Sequence, residues 1–277
     1  MKKVLKKIWN SSPNTIYKKI HHLFHTLFYG KDKMYIYKLK HIPNEVRLWM
    51  PKNIPETYID MLEGSYEDQI LKKILSDRSN ETLCIWDIGA HIGYHSLLFA
   101  SITGPKSKII SFEPNPNNVT WFKSNISLNP TYSPQISVYD KAISDKLEDI
   151  DFNIGNKYDA TSSGGYISDV TPPLPDESYK NFSKISLKTT SIDNLIYSEN
   201  FQKPDILKID VEGAELKVLI GGIRTIRECQ PELIIEIHNI PMMFYVSSFL
   251  KENGYEITLL DEENNNIHTK IIHAKHK

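Results

Sequence analysis

The sequence predicts a doubly wound α/β domain with a helical extension at its N-terminus, and three observations carry that prediction. Seven short strand-like runs recur between residues 83 and 274, and helical stretches separate most of them. The first five runs are mostly apolar, as strands covered on both faces must be. Strand, helix, strand, repeated, describes a parallel sheet with right-handed crossovers and helices on both faces. The composition agrees: 277 residues, 40% hydrophobic and 24% charged, are enough chain to bury a sizeable core. No uninterrupted apolar stretch approaches the ~18 residues a membrane span requires. Cys84 and Cys229 are too few for a disulfide framework, and Cys84 lies in an apolar run, so a reducing, cytoplasmic setting is expected.

The net charge of −1 hides an asymmetry. Residues 1–40 carry ten lysines against one acid, Asp32, a balance of +9 that leaves −10 on the rest of the chain. Lysines and histidines interrupt every candidate apolar core of a signal peptide, and arginine is absent from the first thirty residues. Apolar residues from Val4 to Trp9 and from Ile16 to Phe28 recur near helical spacing around Ser11-Ser12-Pro13. They predict two amphipathic helices with lysines on the wet face, the second capped by Asn14. These helices either dock on the domain or attach it reversibly to an anionic membrane surface.

Residues 34–40 and 46–50 alternate as an extended pair, and 67–77 read as a helix. The expected division is therefore an extension over 1–66 and a main domain over 67–277. The seven predicted strands are Leu83–Asp87, Lys108–Phe112, Ile136–Tyr139, Ile206–Asp210, Leu233–Ile237, Tyr255–Leu259 and Lys270–Ala274. Helices are predicted near 93–102, 116–128, 213–225 and 242–253. Residues 151–185 break the rhythm with Gly164, Gly165, Pro172, Pro173 and Pro175. A loop of that length in a small domain points to a substrate-facing insertion or lid, with Tyr158, Tyr166, Tyr179 and Phe182 as ring-stacking candidates.

The first strand runs into Asp87-Ile88-Gly89-Ala90-His91-Ile92-Gly93 and then a helix, the place where such sheets hold their ligand. The next strand ends in Glu113-Pro114-Asn115, and an acid there can accept both hydroxyls of a ribose. A dinucleotide fingerprint needs glycine at 91 and 94, where this chain has His91 and Tyr94, so a pyrophosphate cannot come close. The P-loop ending is missing too. S-adenosylmethionine, with ribose and adenine but no phosphate, fits the pattern. Asp87, Gly89, His91, Gly93, Glu113 and Asn115 are the expected cofactor-binding residues. Asp140 and Ala142, after the third strand, are expected beside the adenine ring.

At the other end of the cleft, residues 204–215 read Pro-Asp-Ile-Leu-Lys-Ile-Asp-Val-Glu-Gly-Ala-Glu. Alternation puts Lys208, Asp210 and Glu212 on one face. Gathered charges at a strand end cost desolvation unless paired, which marks a functional site. One strand on, Glu236 and His238 alternate onto one face again.

These segments together, with Gly64–Glu67 and Gly221-Gly222, resemble the FkbM family of S-adenosylmethionine-dependent methyltransferases over roughly residues 60–275. The strongest signature is Leu207-Lys208-Ile209-Asp210-Val211-Glu212-Gly213-Ala214-Glu215. The resemblance implies a Rossmann-like, seven-stranded class I methyltransferase sheet and O-methylation of a hydroxyl on a sugar, glycan or related natural product.

An alcohol is a poor nucleophile at neutral pH, so a general base is required. His238 is the expected base, because an unperturbed imidazole titrates near neutrality. Asp210 is the runner-up, with Lys208 either holding it ionised or steering the acceptor, and Glu212 orienting the acceptor. Asp210, Glu236, His238 and Asn239 form an alternative set for Mg²⁺ or Mn²⁺. The rival reading is a methyltransferase-like binding or scaffold protein that has lost catalysis. A nucleic-acid substrate is disfavoured, because the chain beyond residue 40 is acidic and would repel a phosphate backbone.

Overall fold

Apolar residues at alternate positions build the first pair of strands. Met34–Leu39 (β1) and Val46–Pro51 (β2) run antiparallel, with Ile36 opposite Trp49 and Lys38 opposite Arg47. Val46, Leu48 and Met50 are buried, whereas Glu45 and Arg47 point outward and pair with each other. The computed structural model describes residues 34–39, 45–51, 71, 74, 75, 78, 81–154, 166–167, 183–260 and 270–277. The two predicted N-terminal helices lie outside the described residues, as do Tyr158, Tyr179 and Phe182. Of the predicted helix 67–77, Leu71, Ile74 and Leu75 are described and helical. The chain divides into two units, Met1–Asp77 and Arg78–Lys277.

The second unit contains all seven predicted strands in one sheet. They are Cys84–Ile88 (β3), Lys108–Phe112 (β4), Ile136–Tyr139 (β5), Ile206–Ile209 (β10), Glu232–Ile237 (β11), Tyr255–Leu259 (β12) and Lys270–His276 (β13). Their order is β12-β13-β11-β10-β3-β4-β5. β13 runs antiparallel to both its neighbours, and the remaining pairs are parallel. From β3 the chain builds outward through β4 and β5, then returns to add β10 on the opposite side. The switch point therefore falls between β3 and β10, and a crevice opens beyond the carboxyl ends of those strands.

One face of the sheet buries Trp86, Phe112, Leu207, Ile209, Leu233 and Ile235 in a continuous core. It packs under Ile192–Tyr197 (α3), Glu215–Gly221 (α4), Ile223–Cys229 (α5) and Ile240–Glu252 (α6). The opposite face carries Tyr94–Ile102 (α1) and Pro116–Ser127 (α2). The single helix predicted over 213–225 is instead two. Gly221 lies so near the Ser144 carbonyl that a Cβ would stand 2.1 Å from it, and the helix breaks at Gly222.

Residues 142–200 hold more regular structure than the sequence suggested. Ala142–Ile143 (β6), Asp149–Ile154 (β7), Tyr166–Ile167 (β8) and Ser183–Thr190 (β9) form a second sheet, ordered β6-β9-β7-β8. Both ends of the expected insertion are thus paired strands. Phe152 and Ile154 pack with Ala214, and Ile185, Leu187 and Val211 close around them. The small sheet leans on the turn that follows β10.

The β3 turn fits the main sheet with no slack. Gly89 has φ +85°, and a Cβ there would lie 1.7 Å from the Asp210 carbonyl oxygen. Gly89→Ala is expected to lose about 2–5 kcal/mol of stability, from overpacking and a left-handed alanine together. Urea unfolding measures it, and a loss below about 1 kcal/mol would contradict this packing.

Candidate active site

Three parallel strands place a polar row at one level. Asp87 of β3 is in register with Ser111 of β4 on one side and with Lys208 of β10 on the other. All three are buried. Ser96, from α1 above that face, donates to Asp87 Oδ2 and shares a 2.8 Å hydrogen bond with Ser111. The Lys208 ammonium donates to Asp210 Oδ2 at 2.9 Å and stands 4.0 Å from Asp87 Oδ1. Lysine is tolerated here because two carboxylates flank it.

At the cofactor end, Glu113 is held in a fixed pose. Its Oε2 accepts the His91 N–H at 2.8 Å, and its Oε1 accepts Asn115 N–H at 2.9 Å and Asn118 Nδ2 at 3.1 Å. Three donors leave a carboxylate acceptor capacity for a further hydroxyl. Burial pushes Glu113 up to about 7, against the hydrogen bonds from Asn115, His91 and Asn118. Burial also lowers His91 to about 4, so its imidazole is neutral. Its φ of +51° follows Gly89 in a tight turn whose Gly89 and Ala90 N–H groups donate to the Phe112 carbonyl, which leaves the His91 N–H for Glu113. This cradle fits an adenosyl group: half-exposed backbone at Gly89 and His91, an acid at the end of β4, and exposed Asp140 at the end of β5.

Four of the expected cofactor residues have contacts within the protein. Asp87 is fully buried and tied to Ser96, so it anchors the turn from beneath. Gly93 lies under the Phe122 ring, where a Cβ would be 2.1 Å from it. Asn115 caps α2 by accepting the Asn117 N–H and supports Glu113 from behind. Ala142 is buried in β6 opposite Thr189. Ser96, Ser111 and Asn118 escaped the sequence reading, although Ser111 sits two residues before Glu113 on the same face.

At the reacting end, Asp210, Glu212 and His238 meet as expected. His238 Nε2 lies 3.5 Å from Asp210 Oδ1 and 3.5 Å from Glu212 Oε2. Its Nδ1 is 2.6 Å from Glu215 Oε1. His238 is nearly enclosed, with 4% of its side chain exposed, while Asp210 and Glu212 keep 22% and 23%. These two carboxyls line the open side.

The charges decide the protonation. Burial alone would raise Asp210, but the Lys208 ammonium and His238 overcome it and hold the carboxyl down at about 2. Burial lifts Glu212 to about 8; His238 opposes this, and Asp210, Glu236 and Glu215 add to it. Burial opposes a charged His238, yet Glu212, the hydrogen bond with Glu215, and Glu236 raise it well above an ordinary histidine. The surrounding carboxylates thus favour the imidazolium form of His238. Asp210, Glu236 and His238 could offer ligand atoms within 4.8 Å of one another to a cation. Asn239 does not join that set, because its Oδ1 caps α6 by accepting the Met242 N–H at 2.8 Å.

Comparison with known proteins bears on the same residues. Residues 87–257 match the methyltransferase FkbM domain. The chain is 29% identical over 175 residues to hexuronic acid methyltransferase AglP of Haloferax volcanii, covering 62% of this chain and 62% of that protein. It is 25% identical over 162 residues to 2-O-methyltransferase NoeI of Sinorhizobium fredii, covering 57% of this chain and 65% of that protein. The chain thus spans less than two thirds of the length of either relative. Methyltransferase FkbM from Methylobacillus flagellatus superposes with a TM-score of 0.52 at 17% identity, over 71% of this chain and 44% of that one, which establishes the shared fold. The domain match begins at the buried anchor of the β3 turn and ends within β12, so it takes in both ends of the cleft: the chain belongs to the FkbM methyltransferase family.

Proposed function

We propose that the protein is an S-adenosylmethionine-dependent O-methyltransferase acting on a hydroxyl of a sugar or glycan. One observation carries the reading: a proton-handling cluster of His238, Asp210 and Glu212 opens from the same sheet edge that holds Glu113. The printed activities of the two relatives, on a hexuronic acid and at a 2-O position, support a carbohydrate acceptor. Keeping Lys208, Glu215 and His238 buried together costs desolvation that a scaffold has no use for, which speaks against the inactive alternative.

When bound, S-adenosylmethionine supplies an electrophilic methyl group and a good leaving group. Glu113 would hold its ribose, and the Gly89–His91 turn would carry the backbone beside it. The rest is positioning and proton transfer. The acceptor hydroxyl enters on the open side, between Asp210 and Glu212. Its proton passes to His238 Nε2 in molecules whose cluster has first lost one proton to solvent, leaving the ring neutral with its hydrogen on Nδ1 toward Glu215. Asp210, ionised by Lys208, stabilises the imidazolium that returns. In this reading the cluster supplies its own cations, Lys208 and His238, and a divalent metal is not required. Activity is expected to survive exhaustive EDTA treatment, and its loss with restoration by Mg²⁺ or Mn²⁺ would favour the alternative ligand set.

The base assignment is tested by His238→Gln. Turnover on a glycan acceptor is expected to fall by ~10²–10⁴-fold with cofactor affinity retained. Unchanged turnover would reject His238.

Glu113 makes cofactor binding pH-dependent. Ribose hydroxyls donate to the ionised carboxylate, and a carboxyl raised to about 7 is mostly protonated at pH 6 and mostly ionised at pH 8. Affinity for S-adenosylmethionine should therefore tighten roughly tenfold from pH 6 to pH 8 by proton linkage. Calorimetry reads the change, and Glu113→Gln should bind weakly with a flat profile.

A substrate-facing role for the 151–185 insertion is supported by the packing of its described start, in β7, on Val211 and Ala214. Among the described residues no helix is long and apolar enough to cross a membrane. The ten lysines of residues 1–40 support a peripheral contact with an anionic surface. Removing residues 1–30 should then reduce sedimentation with anionic liposomes.

A further inference from the structure

Glu215 belongs to the strongest sequence signature and has been given no role. It is fully buried at the first position of α4. A carboxylate in that place would ordinarily serve the helix terminus from the surface. Here its Oε1 accepts two hydrogen bonds from different elements. One is the Gly213 N–H at 2.9 Å, in the turn where Glu212 has φ +50° and Gly213 φ +96°. The other is His238 Nδ1 at 2.6 Å, at the end of β11. The oxygen accepts from both, so Nδ1 carries the hydrogen and Nε2 is left to face Asp210 and Glu212. Its second oxygen, Oε2, is buried without a hydrogen-bond partner among the described residues. A buried carboxylate oxygen left in that state is costly for a purely structural cap. It is tolerable where the other oxygen sits in a charge-assisted contact with an imidazolium.

We propose that Glu215 is the positioning residue of the acceptor site: one carboxylate fixes the tautomer and ring plane of His238 and the left-handed turn that presents Glu212 beside it. This deepens the proposed function and rests on the reading that His238 handles the acceptor proton. Glu215 does not touch the acceptor itself. It sets the two groups that do, and their 3.5 Å separation is the geometry it maintains.

The test uses the full-length protein with Glu215→Gln, which keeps the size and one acceptor oxygen but loses the charge, and Glu215→Asp, which shortens the reach. Long-range ¹H–¹⁵N spectra of His238 read the tautomer directly. Wild-type protein should show hydrogen on Nδ1 when the ring is neutral. Both variants should show a mixed population. Turnover should fall 10–100-fold in both, with KM for the glycan acceptor and affinity for S-adenosylmethionine nearly unchanged, whereas a merely structural role would move stability and both binding constants together. An unaltered His238 tautomer in both variants, or wild-type turnover in both, overturns the proposal. Should His238→Gln itself retain full turnover while the Glu215 variants still shift the tautomer, the positioning stands and the base assignment is what fails.

Discussion

The contact on which the site depends is between backbones: the β3 turn at Gly89 against the carbonyl of Asp210. Asp210 N–H donates to the Ile88 carbonyl at 2.9 Å, which continues the parallel pairing of β3 with β10 past the formal end of the strand. At that point the chain must pass so close that only a hydrogen fits on the α-carbon of residue 89. The turn that would carry the cofactor and the strand end that presents Asp210 are thereby joined backbone to backbone. Methyl transfer needs its partners aligned within a fraction of an ångström, and a shared backbone seam is a direct way to hold that alignment.

Beneath the seam, Lys208 stands between buried Asp87 and partly exposed Asp210 and gives each a counter-charge. Removing Lys208 strips both carboxylates of that counter-charge, and the loss at buried Asp87 is large because its desolvation is no longer offset. The cluster around His238 is governed by the same balance. Asp210, Glu212, Glu215 and Glu236 gather about it, and the described cations close to them are Lys208 and His238 itself. Protons make up the difference, which is why Glu212 and His238 both hold theirs more tightly than they would in water.

Much of this was legible before any coordinates. The seven strands of the main sheet lie within a residue or two of the predicted runs, because buried parallel strands announce themselves as short apolar blocks. Lys208, Asp210, Glu236 and His238 fell on one face for the same reason, the two-residue period of a strand. The chemistry of individual residues was harder to read. Asp87 looked like a ligand contact but sits beneath the turn, since a strand-end acid can point inward when a serine and a lysine await it. The raised proton affinity of His238 could not be read from the sequence, because the number of carboxylates surrounding it is a property of three-dimensional packing. The β9 strand was overlooked even though Ile185, Leu187 and Thr189 alternate with Lys184, Ser186 and Lys188, because the prolines and glycines before it dominated the segment. Glu215 was invisible for a simpler reason: a glutamate at the start of a helix is ordinary, and only the fold brings a histidine to it.

The small second sheet rests on Val211 and Ala214 through Phe152, Ile154 and Leu187. Its two long strands are paired with each other along six residue pairs, from Asp149 with Lys188 to Ile154 with Ser183. The segment joining them can therefore lengthen, shorten or change composition while its ends stay clamped, and loop closure penalises extra length only weakly. Such an arrangement separates two evolutionary tasks. Under the proposed function, substitutions between the clamped ends would explore new acceptors, while the chemistry, built on other strands, would be inherited untouched.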